Sequence, residues 1–314
     1  MMKRRIAEKG ASCASAQGCP SSASIGIDLH VHSVFSDGLK TPSELAVMAH
    51  KARLSYFALC DHDTADGYAD MKRALANSRI TLIPGAEIST GQSGSTHVLC
   101  YGPGVLNPGM TAFLQEIAGE RVGRAAEIMR LLAREGVVIP EERQAQLLAS
   151  SSVGRTHIAR AIIETGAVNT VKQAFDRYLA QGRPAYVPRR LPSTTEAVEK
   201  LSRMQVVTVL AHPMRTGLAD AALHAFILSL KECGLQGIEA YHPSANAQTA
   251  RMLESLARQE RLLVTGGSDY HGDHDSTAHI GRLPSGWQTR KQDIDALFDA
   301  IASTNHTKGA NDHV

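Results

Sequence analysis

From residue 25 the chain alternates between two hydrophobic periods. Ile27, Leu29 and Val31 interleave with Asp28, His30 and His32, the two-residue repeat of a half-buried strand. Behind Thr41 and Pro42, the residues Leu45, Met48, Ala49 and Ala52 recur at helical spacing. Further strands are predicted over 56–60, 80–88 (bent at Pro84 and Gly85) and 96–101, with a helix over 66–77. The two-residue repeat then stops. Residues 103–187 carry helical patterns only, over about 108–135, 141–149, 155–166 and 170–180, separated by glycine and proline. Strands return over 206–211, 237–241 and 262–265, and a last helix is predicted near 290–302. Seven strands, mostly separated by helices, predict a parallel α/β fold. The expected division is a disordered leader over 1–24, a main domain from 25–102 plus 188–303, an all-helical insertion over 103–187, and a polar tail over 304–314.

Where the strands stop, the chemistry begins. Residues two apart on a strand share a face, so His30 and His32 can point at one object. Asp37 follows in a Ser-Asp-Gly break that can return its carboxylate over the strand's end. Alone this carries nothing: with 14 histidines in 314 residues, chance gives roughly 0.6 His-x-His pairs. The pair gains weight because the other strands carry His62, Glu87, His97, His212, and Asp269 with His271. An open sheet gathers ligands from two or three strands at its switch point, whereas a closed barrel brings all its strand ends to one rim. The sequence therefore favours the barrel. Six imidazoles and three carboxylates exceed the needs of a single catalytic zinc and suffice for two or three ions. With no thiolate among them, they suit manganese, iron or zinc better than calcium.

Composition narrows the partners. A hydrophobic content of 43% with 20% charged residues fits a globular protein in water. The net charge of +2 gives no reason to expect duplex DNA, and no stretch approaches the length of a membrane-spanning helix. Lys3, Arg4 and Arg5 are not followed by the apolar core of a secretory signal. The five cysteines are odd in number; Cys13 and Cys19 lie in the leader, and Cys60 and Cys100 inside apolar strands. This favours reduced thiols in the cytoplasm over a disulfide framework.

The order His30-x-His32, Asp37, Asp61-His62, Glu87, His97, Ala211-His212-Pro213 and Ser268-Asp269-x-His271 resembles the PHP family, named for its polymerase and histidinol phosphatase members. The resemblance spans about residues 25–275. It implies a distorted (β/α)7 barrel around a trinuclear metal site. It further implies that His30, His32, Glu87 and Asp269 hold one ion, and that Glu87 bridges to a second completed by His97 and His212. Asp37, His62 and His271 would hold a third. These nine residues would act in catalysis through two or three divalent ions, Mn2+ first, with Fe or Zn as alternatives. Histidinol phosphatase members often carry histidine where Asp37 stands.

Within the insertion, Gly154-Arg155-Thr156-His157-Ile158-Ala159-Arg160 and Gly182-Arg183-Pro184 are similar to bacterial 3′,5′-nucleotide bisphosphate phosphatases, in which lysine often replaces Arg183. The similarity implies conversion of 3′-phosphoadenosine 5′-phosphate to AMP and phosphate by attack of a metal-bridging hydroxide. In some relatives it also implies stepwise hydrolysis of short single-stranded RNA from its 5′ end. A nucleotide with phosphates at both ends of the ribose needs an anion site beyond the metals. Arg155, His157, Arg160 and Arg183, on an insertion able to fold over the rim, are the candidate contacts. Arg155 opens a helix and could act through its N-terminus as well as its charge. Plainer roles are open to the other three: a solvated helix face or local ion pair for Arg160, an exposed turn for Arg183, packing for His157. Tyr178 and Tyr186 read as core, with stacking on a base as the alternative. One of Asp61 and Asp63 is placed to orient His62, and His242 reads as a neighbour of ligands or as substrate-facing. Two other functions compete. A histidinol phosphate or other small phosphomonoester phosphatase is disfavoured by Asp37 and the arginines. A metal-stabilised module without activity should lack a ligand, and all nine are present.

Overall fold

The computed structural model describes residues 25–91, 96–150, 153–188, 190–272, 278–283 and 291–306. The leader, with Cys13 and Cys19, and the tail beyond 306 lie outside the described residues. Seven strands follow one another around one sheet in sequence order. They are β1 (Ile27–Val31), β2 (Tyr56–Leu59), β3 (Thr81–Thr90), β4 (Thr96–Tyr101), β5 (Val207–Leu210), β6 (Gly237–Tyr241) and β7 (Leu263–Gly266). Backbone contacts beyond the end of β7 nearly close the ring onto β1. The N–H of His32 donates to the carbonyl of Tyr270 at 3.0 Å, and the N–H of Asp269 to that of His30 at 2.8 Å.

One strand departs from the expected parallel order. β4 runs antiparallel to both β3 and β5. Residues 91–95 join β3 to β4 directly, far short of the dozen or so that a parallel crossover requires. The reversal matters for the site. His97 stands near the start of its strand, and only because β4 is inverted does that start share a rim with the ends of its neighbours. In the hairpin His97 lies opposite Ser89.

Helices cover the outside, and their ends obey the local chemistry. α1 (Pro42–Lys51) begins with a capping box between Thr41 and Glu44 and has proline in its first turn. α2 (Tyr68–Ala74) follows β2. The insertion supplies α3 (Pro108–Arg134), α4 (Glu141–Leu148), α5 (Arg155–Glu164) and α6 (Val171–Ala174), which runs on as a π turn over Phe175–Leu179. α7 (Thr194–Ser202), α8 (Asp220–Glu232) and α9 (Ala247–Gln259) complete the wrapping. α10 (Lys291–His306) extends past the expected start of the tail and packs Ile294, Leu297 and Ile301 against Ile27, Leu29, Val207 and Val209. No helix among the described residues is long and apolar enough to cross a membrane.

The apolar clusters show how the insertion is joined. Met110, Phe113, Leu114 and Ile117 of α3 pack with Ile88, Val98, Leu210 and Ile238 of the barrel. Ala125, Ile128 and Leu132, further along the same helix, belong to a separate cluster with Leu147, Ile158, Ile162 and Leu179. α3 therefore spans two cores, and Arg121 falls between them. It sits on the buried stripe Ile117–Arg121–Ala125, where helical spacing calls for an apolar residue. Its Nε donates to Asp63 Oδ2 at 2.5 Å and its Nη2 to Ser89 Oγ at 2.5 Å, pinning the insertion to the ends of β2 and β3.

Candidate metal centre

The nine predicted side chains converge at one rim, around Glu87. Its Oε2 lies 3.2 Å from His30 Nε2, 3.2 Å from His32 Nε2 and 3.1 Å from His62 Nδ1. Its Oε1 lies 2.8 Å from His97 Nδ1 and 2.9 Å from His212 Nε2. Asp269 Oδ1 approaches His32 Nε2 at 3.1 Å and His30 Nε2 at 3.4 Å. Asp37 Oδ1 approaches His271 Nε2 at 3.2 Å. Three sets of ligand atoms each converge within 4.8 Å: His30, His32, Glu87 and Asp269; His62, Glu87 and His97; and His32, Asp37, His62 and His271. The first grouping coincides with the set implied by sequence. In the other two His62 joins Glu87 and His97, and His32 joins the third set, while His212 stands beside Glu87 and His97. The sets differ in depth: the first is fully buried, whereas Asp37, His62, His97 and His271 are half-buried and face the opening.

The donor set fits divalent cations. His30 Nε2, His32 Nε2, His62 Nδ1 and Glu87 Oε2 are buried and have no hydrogen-bond partner among the described residues, although carboxylate oxygens and imidazole nitrogens crowd together. Buried polar atoms ordinarily find partners, and convergent lone pairs on imidazole and carboxylate suit borderline and hard divalent ions. Burial opposes ionisation of Glu87, yet His62, His97, His30 and the bond from His212 hold it well below the usual carboxylate range. Burial pushes His62 down to about 3. It also opposes charge on His32, but Asp269 and Glu87 beside it hold that imidazole up at about 10.

The backbone bends sharply to achieve this. His212 (φ 28°), Asp269 (φ 51°) and Asp63 (φ 54°) all occupy the positive-φ region that side-chain-bearing residues avoid. Such residues cost on the order of 1–3 kcal/mol and persist where surrounding bonds over-determine them. Those bonds are present. The N–H of Asp63 donates to the carbonyl of Glu87 at 2.9 Å, that of Asp269 to the carbonyl of His30 at 2.8 Å, and that of His212 to Glu239 Oε2 at 2.7 Å. Carboxylates nearby brace the same turns. Asp63 accepts the N–H of Ser89 at 2.7 Å, and Asp61 accepts the N–H of Ser33 at 2.7 Å and the hydroxyl of Ser36 at 2.6 Å. Asp28 accepts from the N–H groups of Ser268 and Gly281, both at 2.9 Å. The N–H of Ser244 donates to His242 Nδ1 at 2.9 Å, so the proton of this imidazole sits on Nε2, which faces Asp269 Oδ2 at 3.2 Å. Arg215 Nη1 meets the same oxygen at 2.9 Å.

Above the rim, a cavity of about 120 Å³ separates the ligands from the insertion. Asp37, His62 and His97 form one wall, and Arg155, Thr156 and His157 at the start of α5 form the other. Arg155 lies over the rings of Phe175 (5.4 Å) and Tyr186 (5.9 Å), and its Nη1 donates to the carbonyl of Leu179 at 3.2 Å. His157 Nδ1 accepts the N–H of Gly154 at 3.1 Å, which leaves its Nε2 as the protonated nitrogen. Burial holds His157 below its ordinary value, and Arg160 pushes the same way. Arg160 is half-buried and Arg183 exposed, and neither lines this cavity. Tyr178 packs against the insertion's core, whereas Tyr186 joins Arg155. A larger cavity of about 550 Å³, around Asn107, Arg203 and Thr304, has no imidazole or carboxylate in its lining among the described residues.

Sequence reading did not assign Arg121, Arg215 or Glu239. Two had a signal: Arg121 interrupts an apolar helical stripe, and Glu239 is a carboxylate inside the apolar strand Gly237–Tyr241. Arg215 had none.

Comparison with known proteins agrees with this geometry. Residues 28–181 match the PHP domain family. A relative from Haemophilus influenzae, named a 5′-3′ exoribonuclease, is 32% identical over 275 residues, covering 87% of this chain and 96% of its own. One from Chromobacterium violaceum, named a 3′,5′-nucleoside bisphosphate phosphatase, is 30% identical over 257 residues, 81% of this chain and 90% of its own. A solved structure from Bifidobacterium adolescentis, described as a candidate metal-dependent phosphoesterase, aligns with a TM-score of 0.72 at 27% identity, over 87% of this chain and 95% of that one. The chain belongs to the PHP family.

Proposed function

We propose that this chain is a metal-dependent phosphatase that removes the 3′-phosphate from 3′,5′-bisphosphonucleotides, releasing the 5′-monophosphate and inorganic phosphate. The observation that carries the reading is the cavity with two unlike walls, ligands for cations on one side and anion-binding groups on the other. A substrate with two phosphates can place one on each. The Chromobacterium violaceum relative is named for this activity.

The ligands on this reading are His30, His32, Glu87 and Asp269 for one ion, Glu87 with His97 and His212 for a second, and Asp37, His62 and His271 for a third, with each imidazole serving one ion. Manganese is the first choice, iron or zinc the alternatives. Bound divalent ions would supply an activated water and neutralise the phosphoryl oxygens. The chain does the rest. Arg155 presents a guanidinium held by two rings and a carbonyl, and His157 presents Nε2–H, both placed to receive the second phosphate. The N-terminus of α5 adds its N–H groups to that wall. Arg160 and Arg183, outside the cavity lining, are left as outer contacts for a longer substrate. The free thiols Cys60, Cys100 and Cys233 accord with a cytoplasmic setting.

Short single-stranded RNA is the second substrate class, favoured by the exoribonuclease name of the Haemophilus influenzae relative. The test sets 3′-phosphoadenosine 5′-phosphate beside a short 5′-phosphorylated RNA, in manganese with and without chelator. AMP and phosphate from the first support the reading, and mononucleotides released stepwise from the second extend it. Turnover of histidinol phosphate with neither nucleotide consumed would overturn it.

A further inference from the structure

Glu239 is fully buried in β6 between apolar neighbours. A carboxylate in such a place needs hydrogen-bond donors to be tolerated. It has two, from different strands. Its Oε1 lies 2.9 Å from His30 Nδ1, and its Oε2 accepts the backbone N–H of His212 at 2.7 Å. We propose that Glu239 is a positioning residue that sets two ligands of the metal centre at once, one through its ring and one through its backbone. The proposal rests on reading His30 and His212 as ligands.

The geometry gives each contact a distinct task. His30 turns Nε2 toward Glu87 and Asp269, so a lone pair offered there requires the proton on Nδ1, where Glu239 accepts it. His212 stands at φ 28° and ψ 65°, a backbone that no regular element supports, and the bond from its N–H to Glu239 holds it there. β6 shifts register against β7 just after Glu239, the kind of irregularity that re-aims a side chain. One rigid carboxylate thus ties the end of β1 to the end of β5 across the rim.

Glutamine cannot do this. Both partners are donors, and an amide offers one acceptor oxygen, so in Glu239→Gln the NH2 must face one of the two N–H groups. The experiment is calorimetric titration of the metal-free protein with Mn2+, with chelator competition, for wild type and Glu239→Gln, beside the melting temperature of each with and without metal. At least one ion is expected to bind about 10- to 100-fold more weakly in the variant. The gain in melting temperature on loading should shrink more than the metal-free melting temperature falls; a merely structural role would show the reverse. Wild-type affinity in a folded variant overturns the proposal. Binding by neither form removes the metal reading itself, and the proposal with it. Should the variant not fold, zinc-loaded wild type with 15N-labelled histidine decides: a solvent-protected proton on His30 Nδ1 is expected, and an unprotonated Nδ1 overturns the assignment.

Discussion

The rim and the insertion solve the problem of placing charge in opposite ways. At the rim five of the nine predicted ligands are buried and four half-buried, and they crowd against one another. His30 and His271 are held from behind by Glu239 and by the carbonyl of Asp269. In the insertion Arg155 is held by one carbonyl and two rings, and among the described residues no carboxylate pairs with it. The first arrangement fixes positions to within a fraction of an ångström, as bound ions require. The second leaves a cation ready to accept an incoming anion. On the proposed function, this contrast places the reaction chemistry in the frame and selectivity on an appended helical unit with its own core.

Removing the central carboxylate should have the largest effect. Glu87 touches five imidazoles, and Glu87→Ala leaves them without the anion that draws two ion sets together. Phosphate release should fall on the order of 10⁴-fold, about 5 kcal/mol of transition-state stabilisation, with metal content reduced in the purified protein. Turnover within tenfold of wild type would break the contrast at the rim. Next is the joint between the regions. Arg121→Met strands Asp63 as a buried carboxylate without its cation, and breaking such a pair costs about 3–5 kcal/mol. Urea denaturation should show that loss, and adding Asp63→Asn should recover part of it. If Arg121→Met is as stable as wild type, the insertion is not pinned through this pair.

How much was legible in the sequence follows the same division. The rim ligands could be read because strand ends are local: His30 and His32 two apart on a strand, and Asp269 and His271 two apart just past another, declare a shared direction. The helical insertion could be read because its periodicity changes from two to 3.6. The inversion of β4 follows only from the short 91–95 connection, and the seating of His32 and His62 between ion sets depends on distances that no spacing encodes. Arg160 and Arg183 stood beside Arg155 as candidate phosphate contacts on charge alone, although Arg155 already read as opening a helix. They differ because only Arg155 lies at the first position of α5, against the cavity. Glu239 and Arg121 were visible as charges in apolar patterns, but their partners lie 27 or more residues away in sequence.

Arg155→Ala tests the other side of the contrast. A charge-assisted hydrogen bond is worth about 1.5–3 kcal/mol, so kcat/KM for a bisphosphonucleotide should fall roughly 10- to 100-fold. A simple aryl phosphate, which has no second phosphate, should be hydrolysed at the wild-type rate. Equal losses on both substrates would mean that Arg155 serves the rim rather than selectivity.

Proton competition should separate the two regions by pH. In the metal-free rim, burial opposes charge on His32, but Asp269 and Glu87 keep its proton up to about pH 10. His62 lies at the other extreme, where burial holds it near 3 and so unprotonated at neutral pH. An ion bound at His32 must expel that proton, whereas one bound through His62 expels none there. Between pH 6 and 9 the affinity of the ion at His32 should therefore rise with pH, by up to tenfold per unit for one proton released, and level off near pH 10. Titrations in buffers of different ionisation enthalpy count the proton directly. Arg155 carries its charge throughout this range, and burial keeps His157 below its ordinary value, so the penalty from Arg155→Ala should be the same at pH 6.5 and 8.5. A metal affinity flat in pH would mean that His32 is already unprotonated before the ion arrives, and the opposed environments of His32 and His62 would then have no part in loading the rim.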